Sequence, residues 1–82
     1  MTNRELKNIL IQYAQEDLAL AEQSGSVIIC DTKVGVIDIH CIGEVFQAYN
    51  KQAEQLTGLM NKKRMSLYLV DLYDTTDVEV ED

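Results

Sequence analysis

The chain has 82 residues and a formal net charge of −7 at pH 7, with 14 Asp and Glu against 7 Lys and Arg. A chain of this length forms one domain with a small core, which excludes an enzyme built from a substrate domain and a separate cofactor domain. The negative balance argues against direct binding of DNA, RNA or anionic lipid, because phosphate contacts need a basic face. The expected partner is a protein with a basic surface.

The sequence also predicts a cytoplasmic protein without a membrane segment. No run approaches the roughly 18 apolar residues of a membrane-spanning helix, and the first residues, MTNRELKN, lack the basic-then-apolar order of a signal peptide. Cys30 and Cys41 are therefore expected to remain reduced, as thiols do in the cytosol.

The first predicted element is a helix over about residues 3–23. Thr2 and Glu5 fit a capping box, in which each side chain accepts a hydrogen bond from the backbone N–H of the other. Gly25 can adopt the left-handed conformation that ends helices. Between these ends, apolar side chains recur at helical spacing: Leu6, Leu10, Tyr13, Ala14, Leu18 and Ala21.

Two antiparallel strands are predicted next, from the runs SVIIC and VGVIDIHCI. β-Branched residues dominate both runs, and Asp-Thr-Lys separates them, which is typical of a hairpin. Placing Cys30 opposite Gly35 aligns Ile28 with Ile37. Since side chains alternate between the two faces of a strand, the predicted core face carries Ile28, Cys30, Ile37, Ile39 and Cys41.

The second half of the chain predicts a helix and then a strand. Ile42, Phe46, Tyr49, Ala53, Leu56 and Met60 lay one apolar stripe along a helix over about residues 43–63, interrupted by Gly58. MSLYLVDLY, apolar on both sides, predicts a central strand. VEVE suggests a short acidic edge strand after it. The expected fold is one α+β domain over residues 1–82, in the order α-β-β-α-β, with an antiparallel sheet packed by two helices.

The stripe on the second predicted helix has two interpretations. It is either the inner face of a helix packed on the sheet or a seam between two chains, because its spacing suits helix pairing. A homodimer would extend the small core of one chain. The predicted dimer interface consists of Phe46, Tyr49, Leu56 and Met60.

Asp38, His40 and Cys41 form the densest group of reactive side chains. Asp38 and His40 share a strand face, so the carboxylate can orient the imidazole, but Cys41 projects to the opposite face. A Cys–His catalytic pair needs both groups within hydrogen-bond reach. Cys30, His40 and Cys41 also fall short of the four ligands of a structural zinc site. We therefore expect no catalytic residue, no metal, no cofactor and no enzyme activity, and we expect both thiols to be buried.

Lys62, Lys63 and Arg64 form the basic cluster of the sequence. A phosphate-binding patch is one interpretation of such a cluster. The interpretation preferred here is that the three residues end the second predicted helix, where positive charge interacts favourably with the helix dipole.

The last thirteen residues, VDLYDTTDVEVED, hold six carboxylates and no base. One interpretation is a solvated tail, over residues 74–82, that maintains solubility. The other is a recognition element that presents negative charge to the basic groove of a partner. In size and charge, the chain resembles the DNA-mimic inhibitors of phages and mobile elements, which occupy the nucleic-acid site of an enzyme. The predicted partner-binding residues are Asp71, Asp74, Asp77, Glu79, Glu81 and Asp82.

Two functions follow from these patterns. The first is a non-enzymatic acidic interaction module, such as a phage or mobile-element inhibitor, that docks on a basic, nucleic-acid-binding surface of a larger protein. The alternative is a structural or accessory subunit that acts through homodimerisation. The salt dependence of binding distinguishes the two functions. A complex held by charges weakens as ionic strength rises, whereas an apolar interface does not.

Overall fold

The computed structural model of the chain describes residues 1–80, so Glu81 and Asp82 lie outside the described residues. Its elements are α1 (Asn3–Ser24), β1 (Ser26–Ile29), β2 (Ile37–Ile42), β3 (Val45–Asn50) and α2 (Lys62–Leu72). The three strands form one antiparallel sheet in the order β1-β2-β3. The predicted α+β class is confirmed, with both helices packed on the sheet, but the order of elements is α-β-β-β-α.

Helix α1 begins at the predicted residue and ends at Ser24, within one residue of the predicted end. The Thr2 hydroxyl accepts from the N–H of Glu5 at 3.1 Å, and the Glu5 carboxylate accepts from the N–H of Thr2 at 3.2 Å, so the capping box is present. At the other end, Gly25 has φ 90 and its N–H donates to the Ala21 carbonyl at 2.7 Å. A positive φ of this kind favours glycine.

The pairing of β1 with β2 is displaced by one residue from the predicted register. Ile29, rather than Ile28, lies opposite Ile37, and the N–H of Cys41 donates to the carbonyl of Gly25, which directly follows α1. A shift of one residue moves every side chain of a strand to its other face. Ile29 is consequently buried and Ile28 is 65% exposed. The prediction that Cys30 lies in the core was wrong, and the Cys30 side chain is exposed.

Strand β3 replaces the first part of the helix predicted over residues 43–63. Gly43 and Glu44 form a two-residue turn between paired Ile42 and Val45, and Gly43 has φ 65. A glycine at the first central position is typical of a tight hairpin turn. Beyond the turn, Phe46 and Ala48 are buried in the core.

The rest of that predicted helix is an irregular segment that runs back along β3. The Asn50 side chain accepts from the backbone N–H groups of Gln52 and Glu54, which reverses the chain. The returning segment pairs with β3, since the N–H of Phe46 donates to the Met60 carbonyl at 2.7 Å and Met60 returns the bond at 2.8 Å. The apolar residues of this region, which are spaced by four and three positions, therefore belong to β3 and to the segment that pairs with it, and not to a helix.

Helix α2 replaces the predicted third strand. Met65 and Leu69 are fully buried, while Tyr68 and Leu72 are partly buried, which is the spacing of one helix face. Asn61 caps the helix by accepting from the N–H of Arg64 at 2.9 Å. The cluster of Lys62, Lys63 and Arg64 thus begins a helix, and the prediction that it ends one was wrong.

The core lies between the two helices and one face of the sheet, which we call the inner face. Its buried hydrophobic residues are Ala14, Leu18, Ala21, Ile29, Ile37, Ile39, Phe46, Ala48, Met65, Leu69 and Tyr73. On α1 the buried residues begin at Ala14, so the apolar side chains of the first three turns lie at the edge of the core. Among residues 1–80, neither helix packs on the outer face of the sheet, and Ile28 and Ile42 are 65% and 51% exposed there.

Candidate functional site

The two edges of the sheet differ in whether another segment covers them. The edge of β3 is covered by the returning segment, which bonds to Phe46, Ala48 and Asn50. Within residues 1–80, no segment pairs with the outer edge of β1. An uncovered strand edge presents backbone donors and acceptors to a further strand. The chain therefore has one open edge in its described part, and that edge belongs to β1.

The open groups of β1 can be assigned to particular residues. Hydrogen-bonded and non-hydrogen-bonded pairs alternate along an antiparallel ladder. The bond from Cys41 to Gly25 fixes the phase, so Val27 and Ile29 bond to β2 and the backbone N–H and C=O of Ser26 and Ile28 point away from it. Ile28 thus combines an open backbone with an exposed side chain.

A groove of about 490 Å³ lies beside this edge, and we call it the β1 groove. Helix α1 contributes Leu10 and Tyr13, β1 contributes Ile28, and the segment after α2 contributes Tyr73 and Val78. Tyr13 is 53% exposed although it belongs to the apolar stripe of α1. The groove is therefore the uncovered continuation of the core.

Four carboxylates stand around the apolar lining of the groove. Glu16 and Asp17 come from α1, Asp31 from the turn after β1, and Asp74 from the residues that follow α2. No Lys, Arg or His side chain is among the described residues that line the groove. The side chains of Glu16, Asp31 and Asp74 are exposed to solvent. The groove consequently presents an apolar floor with a negative rim.

Hydrogen bonds made by Leu72, Tyr73 and Asp74 hold one wall of the groove in place. The hydroxyl of Tyr73 donates to Oδ2 of Asp17 at 2.6 Å. The N–H of Asp74 donates to the Asp31 carbonyl at 3.0 Å, and the N–H of Lys33 donates to the Leu72 carbonyl at 2.8 Å. The residues after β1, the middle of α1 and the end of α2 are thereby joined at one place, which brings acids from distant parts of the sequence together.

Two ionisable groups of this wall have shifted pKa values. Burial raises the pKa of Tyr73, and the hydrogen bond to Asp17 raises it further. The backbone N–H of Thr76 donates to the Asp74 carboxylate at 3.0 Å and lowers the pKa of Asp74, with a smaller lowering by Lys33. Tyr73 therefore stays neutral and Asp74 stays charged across the neutral pH range.

The structure brings only part of the predicted acidic element to the groove. Asp74 stands on the rim, whereas Asp71 is exposed on α2, and Asp77 and Glu79 are exposed beyond it. Glu81 and Asp82 lie outside the described residues. Residues 78–80 form no strand, so the edge strand predicted from VEVE is absent over its described part.

Three of the four rim acids were missed by the sequence analysis. Glu16 and Asp17 follow Tyr13 in the half of the α1 stripe that remains uncovered, and Asp31 directly follows β1. An acidic pair beside the uncovered half of a stripe is a usable signal, but it requires knowing which half stays uncovered. The acids are brought together by tertiary contacts such as the bond between Tyr73 and Asp17, which are 56 residues apart in sequence. Local sequence patterns do not indicate contacts of this kind.

Asp38 and His40 lie together on the outer face of the sheet, as predicted. Nε2 of His40 is 3.0 Å from Oδ2 of Asp38, and the His40 ring meets the Tyr49 ring edge-on at 5.0 Å. The Cys41 thiol instead donates to the carbonyl of Gly43 at 3.4 Å. Within residues 1–80, no three His, Cys, Asp or Glu side chains are grouped as a metal site would require.

The four residues of the predicted dimer interface do not share a surface. Phe46 is 1% exposed within the core, and Met60 packs against that core. Tyr49 stands on the outer face of the sheet, and Leu56 is 39% exposed on the segment that covers β3. The stripe that motivated the dimer is therefore absent, while dimerisation itself stays a prediction.

Comparison with known proteins gives no assignment: no family model, curated protein or solved structure matches the chain. Over residues 1–80, neither helix is long and apolar enough to cross a membrane.

Proposed function

We propose that the protein is a non-enzymatic interaction module that binds a basic segment of a partner protein in the β1 groove. The observation that carries this proposal is the composition of the groove. Four carboxylates surround an apolar floor, and no Lys, Arg or His is among the described lining residues, although Lys33 acts on Asp74 from outside the lining. Opposite charge on a partner accelerates encounter and disfavours acidic competitors.

The proposal keeps the basic partner predicted from the sequence and moves its main contact site from the tail to the groove. Proteins that bind nucleic acids carry basic surfaces of the kind required. An inhibitor that occupies such a surface, as the size and charge of the chain suggest, falls within the proposal. Lysine and arginine suit an apolar groove with an acidic rim, since their methylene stems pack on apolar side chains while their charges remain at the surface.

A defined peptide tests this function. The probe is a seven-residue peptide of alternating lysine and valine with blocked ends, and its control replaces each lysine with glutamate. Fluorescence anisotropy at low salt should detect binding of the lysine peptide, with affinity falling as sodium chloride rises towards about 0.5 M, where the screening length is only a few Å. Binding of the two peptides with equal affinity, or of neither at millimolar concentration, would overturn the proposal.

A second candidate function is an accessory subunit that dimerises through the outer face of the sheet. The observation in its favour is the exposure of Ile28 and Ile42 on that face, together with half-buried Val36 and Val45. An apolar interface of this kind would persist in high salt. Sedimentation at high salt therefore separates the two candidates, because only the apolar dimer survives there.

A further inference from the structure

We infer that the partner segment binds by adding an antiparallel strand to the open edge of β1. This inference rests on the proposed function and specifies its geometry. The first support is the asymmetry of the sheet, in which the β3 edge is covered by a segment of the chain itself, whereas no segment of residues 1–80 covers the β1 edge. A sheet edge of this kind binds extended peptides through main-chain hydrogen bonds.

The open edge has a defined length. At one end it begins at Ser26, directly after Gly25, which caps the C-terminus of α1. At the other end Asp31 and Thr32 already pair with the residues that follow α2, since Thr32 forms a bridge with Tyr73. Residues 26–30 remain, a length of about 17 Å at 3.4 Å per residue. That window accommodates a segment of about five extended residues.

The pattern of side chains in the bound segment follows from the edge. Ser26 and Ile28 point their backbone groups outward and carry side chains on the outer face of the sheet. In an antiparallel pair, residues directly opposite each other place their side chains on the same face. Residues of the segment that bond to Ile28 therefore place side chains beside Ile28, where an apolar β-branched residue fits. The alternate residues face α1, where Glu16 and Asp17 favour lysine or arginine.

The charge of the groove favours such a partner over a second copy of this chain. Pairing of two β1 edges would bring Asp31 and the acids of α1 from one chain towards the same residues of another, with a net charge of −7 on each chain. Like charges placed together oppose association, whereas a basic segment neutralises the rim. The occupant is thus an extended segment with alternating basic and apolar residues.

Methylation of peptide backbone nitrogens tests this geometry without altering charge. In the lysine–valine peptide described above, methylation of every valine nitrogen removes the donors that face β1, and methylation of every lysine nitrogen removes those that face away. The valine-methylated peptide should bind at least about tenfold more weakly than the parent, which corresponds to 1.4 kcal/mol, while the lysine-methylated peptide should bind like the parent. Exchange of the Ile28 amide should slow on binding of the parent.

The outcomes distinguish this inference from the function on which it rests. If the parent peptide binds and the two methylated peptides are affected equally, or the lysine-methylated peptide is the weaker, strand addition is wrong and the charge-based function stands. If the parent does not bind, the proposed function fails and the strand geometry fails with it. A concentration-dependent dimer whose formation protects the Ile28 amide in the absence of peptide would assign the edge to a second copy, and would also overturn the inference.

Discussion

The hydroxyl of Tyr73 donates a hydrogen bond of 2.6 Å to Oδ2 of Asp17, joining residues that are 56 positions apart. Tyr73 is 7% exposed, so its hydroxyl has little access to water. The bond fastens the end of α2 to the middle of α1 and holds the wall of the β1 groove.

Replacement of Tyr73 by phenylalanine should lower the free energy of unfolding by about 1.5–3 kcal/mol, because the change removes a hydrogen bond to a carboxylate. Urea unfolding monitored by circular dichroism measures the difference. Tyr13→Phe is the matched control, since Tyr13 is 53% exposed, and it should change the free energy by less than about 0.5 kcal/mol. Equal effects of the two changes would contradict the structural role of the bond.

The difference in unfolding free energy between the parent protein and the Tyr73→Phe variant should decrease at alkaline pH. Burial and Asp17 raise the pKa of folded Tyr73 above the value of about 10 for an exposed tyrosine. A group with a raised folded pKa stabilises the fold fully below its unfolded pKa, and this contribution is lost as pH rises towards the folded value. The difference in unfolding free energy between the two proteins should therefore be about 1.4 kcal/mol smaller at pH 11 than at pH 8. A difference independent of pH over that range would show that Tyr73 is solvated in the folded state.

Phe46→Ala tests the corrected assignment of residues 43–60. Phe46 is 1% exposed between the sheet and the helices, so truncation should cost about 3–5 kcal/mol of stability in the chain at any protein concentration. Leu59→Ala is the control, because Leu59 is 59% exposed and its loss should cost less than about 0.5 kcal/mol. A loss for Phe46→Ala that grows with dilution would restore the dimer interface predicted from the stripe.

The two thiols report the register of β1 and β2. Cys30 is exposed and Cys41 is half-buried, so an aromatic disulfide reagent should label Cys30 first in the native protein. Cys30→Ser should remove the fast phase and Cys41→Ser should leave it. Slow labelling of both thiols would instead support the register that places Cys30 in the core.

Local signals were sufficient for the first helix and for the existence of the hairpin, but not for its register. The capping box of Thr2 and Glu5 and the left-handed Gly25 mark both ends of α1, and each depends on residues close in sequence. The hairpin was predicted with the wrong register, because Val27, Ile28 and Ile29 are all apolar and permit either face. The pairing of Cys41 with Gly25 decides between them, and this contact depends on where α1 ends.

The second half of the chain was mispredicted because its apolar residues fit two periods. Phe46 and Met60 fit a helical stripe, yet Phe46 and Ala48 also fit the alternation of a strand. The decision comes from partners elsewhere, since β3 bonds to β2 on one side and to the returning segment on the other. Tertiary packing also decides the structure of α2. Because α2 packs on α1 and β3, one helix face carries Met65, Leu69 and Leu72.

The candidate groove is acidic like the element predicted from the sequence, but most of its acids come from other parts of the chain. The net charge of −7 predicts a basic partner, and the concentration of acids after Val70 predicts that the tail binds it. Of the described acids of that tail, only Asp74 reaches the rim, because the bonds around Tyr73 fold the chain back at that point. Glu16 and Asp31 join it through tertiary packing, so their position becomes visible only once the uncovered half of α1 is known.

The central claim is that the acids of the groove, and not acidity in general, bind the basic segment. Two triple variants with the same net charge test it: Glu16→Gln with Asp31→Asn and Asp74→Asn on the rim, and Asp71→Asn with Asp77→Asn and Glu79→Gln away from it. All six side chains are exposed, so both variants should fold.

Titration of both variants with the lysine–valine peptide at about 0.1 M salt is the most direct measurement, since the screening length of about 10 Å then limits each carboxylate to its neighbours. The rim variant should bind roughly tenfold more weakly than the parent, and the other variant should bind within about twofold of it. Equal weakening of both variants, or greater weakening of the variant away from the rim, would contradict the account.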